Sequence, residues 1–176
     1  MSVNVSIYHI SGRVSRFNQA DEAIAQDWLT KLQPNRLFED PLLVVGDGRS
    51  ISMFRSRNIS RIDLVTTPPN QLQMVERVQH SHMLAAPPLG TLADQRVHVR
   101  YDLADGDNLY IAYDNLEQRP PAERYTAIHQ HLQLPVVEVQ HPDGGVVLIN
   151  PAHILRVVIQ AHGIELPHGA WRANER

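Results

Sequence analysis

The chain has no cysteine. That removes disulfides, thiolate catalysis and every cysteine-ligated zinc or iron–sulfur site from consideration. Long apolar runs are also missing: no stretch approaches the roughly 20 residues needed to cross a bilayer as a helix. The first residues, Met1 to Ile10, lack a basic segment followed by an apolar one, so the expected setting is cytoplasmic, without a secretory leader or membrane contact. Charge of one sign is scarce, because 16 basic residues against 19 acidic ones leave a net charge of −3. Such a balance supplies no global field to attract a polyanion. What remains is an ordinary globular composition, 43% hydrophobic and 20% charged, with ten histidines and twelve prolines that break the chain often.

The main pattern is internal similarity. The segment Pro41–Val65 and the segment Pro135–Ile159 each open on a proline followed by an apolar strand, then turn at Asp47-Gly48 or Asp143-Gly144. Asp-Gly between apolar runs marks a hairpin, since both residues tolerate the positive φ of tight turns. A second apolar strand follows, Ile51–Phe54 or Val146–Ile149. After a short polar break comes a third, beginning Ile59-Ser60-Arg61-Ile62 or Ile154-Leu155-Arg156-Val157. A helical stretch precedes each hairpin. Ile24, Trp28 and Leu32 lie on one face of the first, which Asn18 or Asp21 can cap, and Tyr125, Ile128 and Leu132 on one face of the second. Upstream again are strand segments, Val3–Val14 and Arg96–Tyr113, the latter divisible at Asp105-Gly106.

The expected fold is therefore α+β and mainly β: two tandem copies of a small β-barrel-like unit, related by a pseudo-two-fold axis. Residues 1–66 form the first repeat, 67–94 a proline-bounded linker, 95–160 the second repeat and 161–176 a polar tail. The expected core holds Ile24, Trp28, Leu42, Val44, Ile51, Ile59 and Ile62 in one repeat. In the other it holds Ile128, Leu132, Val137, Val139, Val147, Ile154 and Val157. In the linker, Gln71–Leu84 suits an amphipathic helix or a strand about equally.

Further local features are a strand ending in Ile10-Ser11-Gly12 and the helix segment Asp27-Trp28-Leu29 in the first half, and the strand entries Arg55-Ser56-Arg57-Asn58-Ile59 and Asn150-Pro151-Ala152-His153-Ile154. In these the chain resembles a family of uncharacterised short bacterial β-rich domains and, more widely, Sm-like barrels. The resemblance implies five bent strands curled into an open barrel, and no particular activity.

Candidate chemistry is sparse. Arg49, Arg55, Arg57 and Arg61 cluster around the first hairpin, where guanidinium groups can hold a phosphate or carboxylate; the plainer reading is a solvated hairpin face. His80/His82 and His129/His131 are spaced i, i+2, which suits chelation on a strand and not on a helix, and the further ligands of a zinc signature are missing. The turns Gly46-Asp47-Gly48 and Asp143-Gly144-Gly145 lack the Lys-Ser/Thr of a phosphate loop. Serines sit in no nucleophile elbow, and Glu39-Asp40 and Asp105/Asp107 fall at turns. No catalytic residue, metal site or cofactor is assigned. The expected function is a non-catalytic binding or protein-interaction module, with a protein partner or a homodimer. The alternatives are anion or nucleic-acid binding through Arg49–Arg61, and an enzyme whose site lies between the repeats near Pro68–Pro88.

Overall fold

The computed structural model describes residues 1–31, 33–46, 50–69, 78, 80–85, 97–114 and 116–160. The tail from Ala161, the turn residues Asp47, Gly48 and Arg49, most of the linker, and the side chain of Trp28 lie outside the described residues.

The fold is mainly β. Its strands are β1 (Ser2–His9), β2 (Val14–Gln19), β3 (Leu42–Gly46), β4 (Ile51–Arg55), β5 (Ile59–Thr67), β6 (Ser81–Met83), β7 (His98–Leu103), β8 (Asn108–Tyr113), β9 (Val137–Gln140), β10 (Gly145–Ile149) and β11 (Ile154–Gln160). Helix α1 (Glu22–Lys31) follows β2, and helix α2 (Pro121–Leu132) follows β8. One nine-stranded sheet runs β11-β7-β8-β6-β9-β10-β5-β1-β2, and β3 and β4 form a separate pair.

The two halves use the same pairings. β1 pairs with β2 and β5, all antiparallel, as β7 pairs with β8 and β11. β3 pairs with β4 as β9 pairs with β10. The turn after β1 closes with His9 N–H on the Arg13 carbonyl (2.9 Å) and Gly12 N–H on the His9 carbonyl (2.8 Å). The turn after β7 closes with Leu103 on Asp107 (2.9 Å) and Gly106 on Leu103 (3.0 Å). Gly12 and Gly106 have φ of 76° and 96°, the left-handed conformation that this turn imposes and that glycine adopts without strain. Each turn is tied to a short 3-10 segment, Ser56–Asn58 or Pro151–His153, through Ile10 N–H to Asn58 (3.0 Å) or Ala104 N–H to His153 (2.9 Å).

Two observations bear on the expected barrel-like, pseudo-two-fold arrangement. The sheets are open: β2 and β11 are the edges of the long sheet and do not meet, and the β3–β4 pair makes no ladder with it among the described residues. A closed barrel needs every edge paired. Among the described residues the strand ladders do not repeat by a two-fold axis. The halves join through β5 and β10, and a two-fold would require β4 to pair with β11 as well, which is not seen among the described residues. Part of the linker is strand, because Ser81–Met83 adds to β8 antiparallel and to β9 parallel.

Two apolar clusters fill the molecule. One gathers Val3, Val5, Ile7, Ile62 and Leu64 with Val146 and Leu148; the other gathers Val99, Tyr101, Ile111, Ile128, Val137 and Val139 with Val147 and Ile149. β10 thus sends alternate side chains into both clusters and is buried from end to end. Ile59 and Ile62 are core as expected, as are Ile128, Val137, Val139 and Val147, with Leu132, Ile154 and Val157 partly covered. Ile24, Leu42, Val44 and Ile51 are exposed instead. Among the described side chains of α1 the inward one is Ala25, one position and about 100° round from Ile24. Asp21 fixes that phase by capping, its Oδ1 accepting from Ile24 N–H at 3.1 Å, and Glu22 pairs with the Met1 ammonium at 2.9 Å.

Candidate functional site

The β3–β4 hairpin is seated by one face only. Leu43, Val45 and Phe54 turn inward, and Phe54 meets Phe17 edge-on (5.8 Å between centroids) and His9 at 5.4 Å. The alternation of a strand then sends Leu42, Val44, Ile51 and Met53 outward. Ile51 and Met53 are 70% and 67% exposed, and Val44, directly across from Met53, is 52% exposed. The matched residues of the second half, Val146 and Leu148, are fully buried because β5 lies along the β10 edge.

That seam is built closely. Gly145 sits where β10 meets β5 with φ of 148°, and a Cβ there would stand 2.0 Å from the Leu64 carbonyl oxygen. Asn150 donates from its side chain to the Ile59 carbonyl (3.1 Å) and from its backbone to Ser60 (2.9 Å), while His153 Nε2 bonds the Arg57 carbonyl (2.7 Å). The Asp105–Asp107 turn reaches across from the second half: Asp105 accepts from the Ser60 hydroxyl, and Asp107 meets Arg61 Nη1 at 2.9 Å.

Arg61 lies buried at the centre of this seam. Its guanidinium stacks 3.7 Å above the Tyr8 ring, with Nε 3.3 Å from Asp63. Those charges are at ion-pair distance but out of hydrogen-bond alignment, so Arg61 Nε and Nη1 and Asp63 Oδ1 are buried without a hydrogen bond. Burial pushes the Asp63 carboxyl above its ordinary range, and the charges of Arg61 and His141 pull it only part of the way back. For Arg61, burial is outweighed by Asp63, Tyr8 and Asp107, which hold its proton more firmly.

The four arginines of the first hairpin therefore divide. Arg49 lies outside the described residues, Arg55 and Arg57 are exposed, and Arg61 is committed to two carboxylates. The histidine pairs divide as well. His82 is held between Gln140 (2.6 Å) and Asp114 (2.9 Å), and His80 is exposed. His129 stacks on Tyr125, whereas His131 Nδ1 bonds the Tyr113 hydroxyl at 2.9 Å. No group of three or more metal-ligating side chains occurs among the described residues.

A cavity of about 230 Å³ opens beside His131, walled by His80, Ser81, Tyr113, Arg119 and Ile128 among others. Tyr113 also bonds the Tyr101 hydroxyl at 2.6 Å. Burial pushes Tyr101 up to about 12 and Tyr113 well above its usual value, and it lowers His131. At neutral pH the chain of groups is thus two protonated phenols and a neutral imidazole, with no carboxylate among the described lining residues.

Sequence reasoning missed the Tyr8–Arg61–Asp63 cluster. Its signal was present: Asp63 interrupts the apolar run Ile62–Val65, and a carboxylate in such a strand needs a partner. Among the described residues no helix is long and apolar enough to cross a membrane. The chain matches no protein-family model, no curated protein and no solved structure.

Proposed function

We propose that this chain is a non-catalytic interaction module built by internal duplication, and that its binding surface is the outward face and open edge of the β3–β4 hairpin. The duplication is supported by the common order of pairings, the two glycine turns and the matched hydrogen bonds from Ile10 and Ala104. One observation carries the binding role. Ile51, Met53 and Val44 stand in water, while the corresponding strand of the other half is wholly covered. An open strand edge beside a contiguous apolar face is a template for adding a strand from a partner, and a fold that needed it only for stability would bury it. Anion binding keeps a narrower base, the exposed Arg55 and Arg57.

The double substitution Ile51→Lys/Met53→Lys tests the assignment. It should leave the melting temperature within about 3 °C of the parent and reduce the binding of a hydrophobic dye such as anilinonaphthalene sulfonate. A fall of ten degrees or so, about 2.5–5 kcal/mol for a chain of this size, would show that the two side chains belong to the fold and are not a binding surface.

A further inference from the structure

We infer that the strand received by the β4 edge is β11 of a second copy of this chain, so that copies join head to tail. The inference rests on the binding surface just described and names its occupant. Its template lies within the molecule. β10, fourth strand of the second half, is covered by β5, fifth strand of the first, in the register Val146↔Leu64, Val147↔Asp63, Leu148↔Ile62 and Ile149↔Arg61. That joint consumes one fourth strand and one fifth strand. Among the described residues the other fourth strand, β4, and the other fifth strand, β11, have one neighbour each, β3 and β7.

Both unused strands carry the marks of a missing cover. β5 is buried over nearly its whole length, with Ile62 and Leu64 at 3% and 4% exposure. Their counterparts Val157 and Ile159 are only partly covered, and Leu155 is 72% exposed. Ile51 and Met53 on β4 stand for the buried Val146 and Leu148.

Carrying the internal register over by the constant spacing of the matched positions places Met53 opposite Val157, Ile51 opposite Ile159, Ser52 opposite Val158 and Phe54 opposite Arg156. Both pairs that correspond to the apolar contacts of the internal seam are themselves apolar. Where the internal seam buries Asp63, the second has Val158, so no carboxylate need be desolvated. Arg156 would lie next to Asp102, its partner in the β11–β7 ladder. One position differs: Ser50 stands where Gly145 allows β5 its closest approach, so the intermolecular ladder is expected to end one residue sooner. A joint between unlike strands leaves each copy's second edge to be used in turn. Association therefore ends in a closed ring, of two copies at the smallest, or in an open filament.

Two variants block one edge each: Ile51→Lys/Met53→Lys on β4, and Leu155→Lys/Val158→Lys on β11. Sedimentation velocity should show the parent chain growing beyond one copy as concentration rises and each variant alone remaining a single chain. An equimolar mixture should form a two-chain species and go no further, because it contains one intact β4 edge and one intact β11 edge. In the parent, amide exchange should slow in β4 and β11 together as concentration rises, a readout that requires no variant to fold. A parent that stays a single chain at every concentration overturns the inference. So does a blocked variant that still self-associates, or protection that appears at one edge only. A single-chain parent whose β4 variant nonetheless keeps its melting temperature and loses the dye leaves the binding surface in place for another partner. A β4 variant that melts early removes the surface itself.

Discussion

β4 and β10 occupy corresponding places in the two halves, each the second strand of a hairpin and each followed by a 3-10 turn, yet their surroundings are opposite. β10 has β9 on one edge, β5 on the other and an apolar cluster against each face; β4 has β3 on one edge, a cluster against one face and nothing else among the described residues. Burial in this fold is thus decided by what the other half contributes and not by the plan of the unit. Covering one aliphatic side chain is worth about 1.5–3 kcal/mol, so the cross-half seam is a principal source of stability for the second hairpin and supplies none to the first.

The contrast is broken most severely at Gly145. Gly145→Ala forces a Cβ against the Leu64 carbonyl, a backbone atom that cannot turn aside, and should cost roughly 4 kcal/mol or more in chemical denaturation or prevent folding outright. Next is Arg61→Ala, which leaves Asp63 buried without its cation and should cost about 3–5 kcal/mol at neutral pH. Arg156→Ala at the matched exposed position should stay within about 1 kcal/mol. A comparable loss at both arginines would mean that the halves are not differently packed. Third, Leu148→Ala should cost about 2–5 kcal/mol, while Met53→Ala, its counterpart, should remain within about 0.5 kcal/mol, both read from denaturant midpoints at constant slope.

The smallest effect is in the pH profile. The folded state raises the Asp63 carboxyl above its ordinary value, so the native chain holds that proton more tightly than the unfolded one. Its contribution is complete below the unfolded value near 3.9 and is lost as pH rises through the folded value. Asp63→Asn should remove that part of the slope in a series of melting curves, whereas Val158→Asn at the matched position should not alter the slope. Protonation also removes the need for a cation, so the penalty of Arg61→Ala should shrink in acid. A penalty independent of pH would separate the two residues.

Much of the architecture was legible in the sequence. α2 occupies Pro121–Leu132 as the apolar spacing of Ile128 and Leu132 and the Pro120-Pro121 start indicated, and Asp143-Gly144 does close a hairpin. The misplaced core residues of the first hairpin have one cause, which is that apolar character was equated with burial. Leu42, Val44 and Ile51 satisfy the strand pattern and still face water, since the pattern gives a strand two faces and does not say how many are covered. The distinction was available between the two hairpins. Val146-Val147-Leu148-Ile149 is an unbroken apolar run, the mark of a strand buried on both faces, while Ile51-Ser52-Met53-Phe54-Arg55 is interrupted by Ser52 and Arg55. The cross-half pairing of β5 with β10 could not be read, because matched units do not state which edges meet. Arg61 was grouped with its neighbours in sequence, and it lies with its neighbours across the sheet.

The placement of β10 at the seam also has a consequence during synthesis. β5 is complete at Thr67, but the strand that covers its edge begins only at Gly145, about 80 residues later. At the usual ribosomal pace of about 5–20 residues per second, the interval is on the order of 4–16 s. Throughout it the nascent first half presents an apolar strand edge with no second half to meet it, in a crowded solution of other chains doing the same. Slow translation of the linker would prolong that interval.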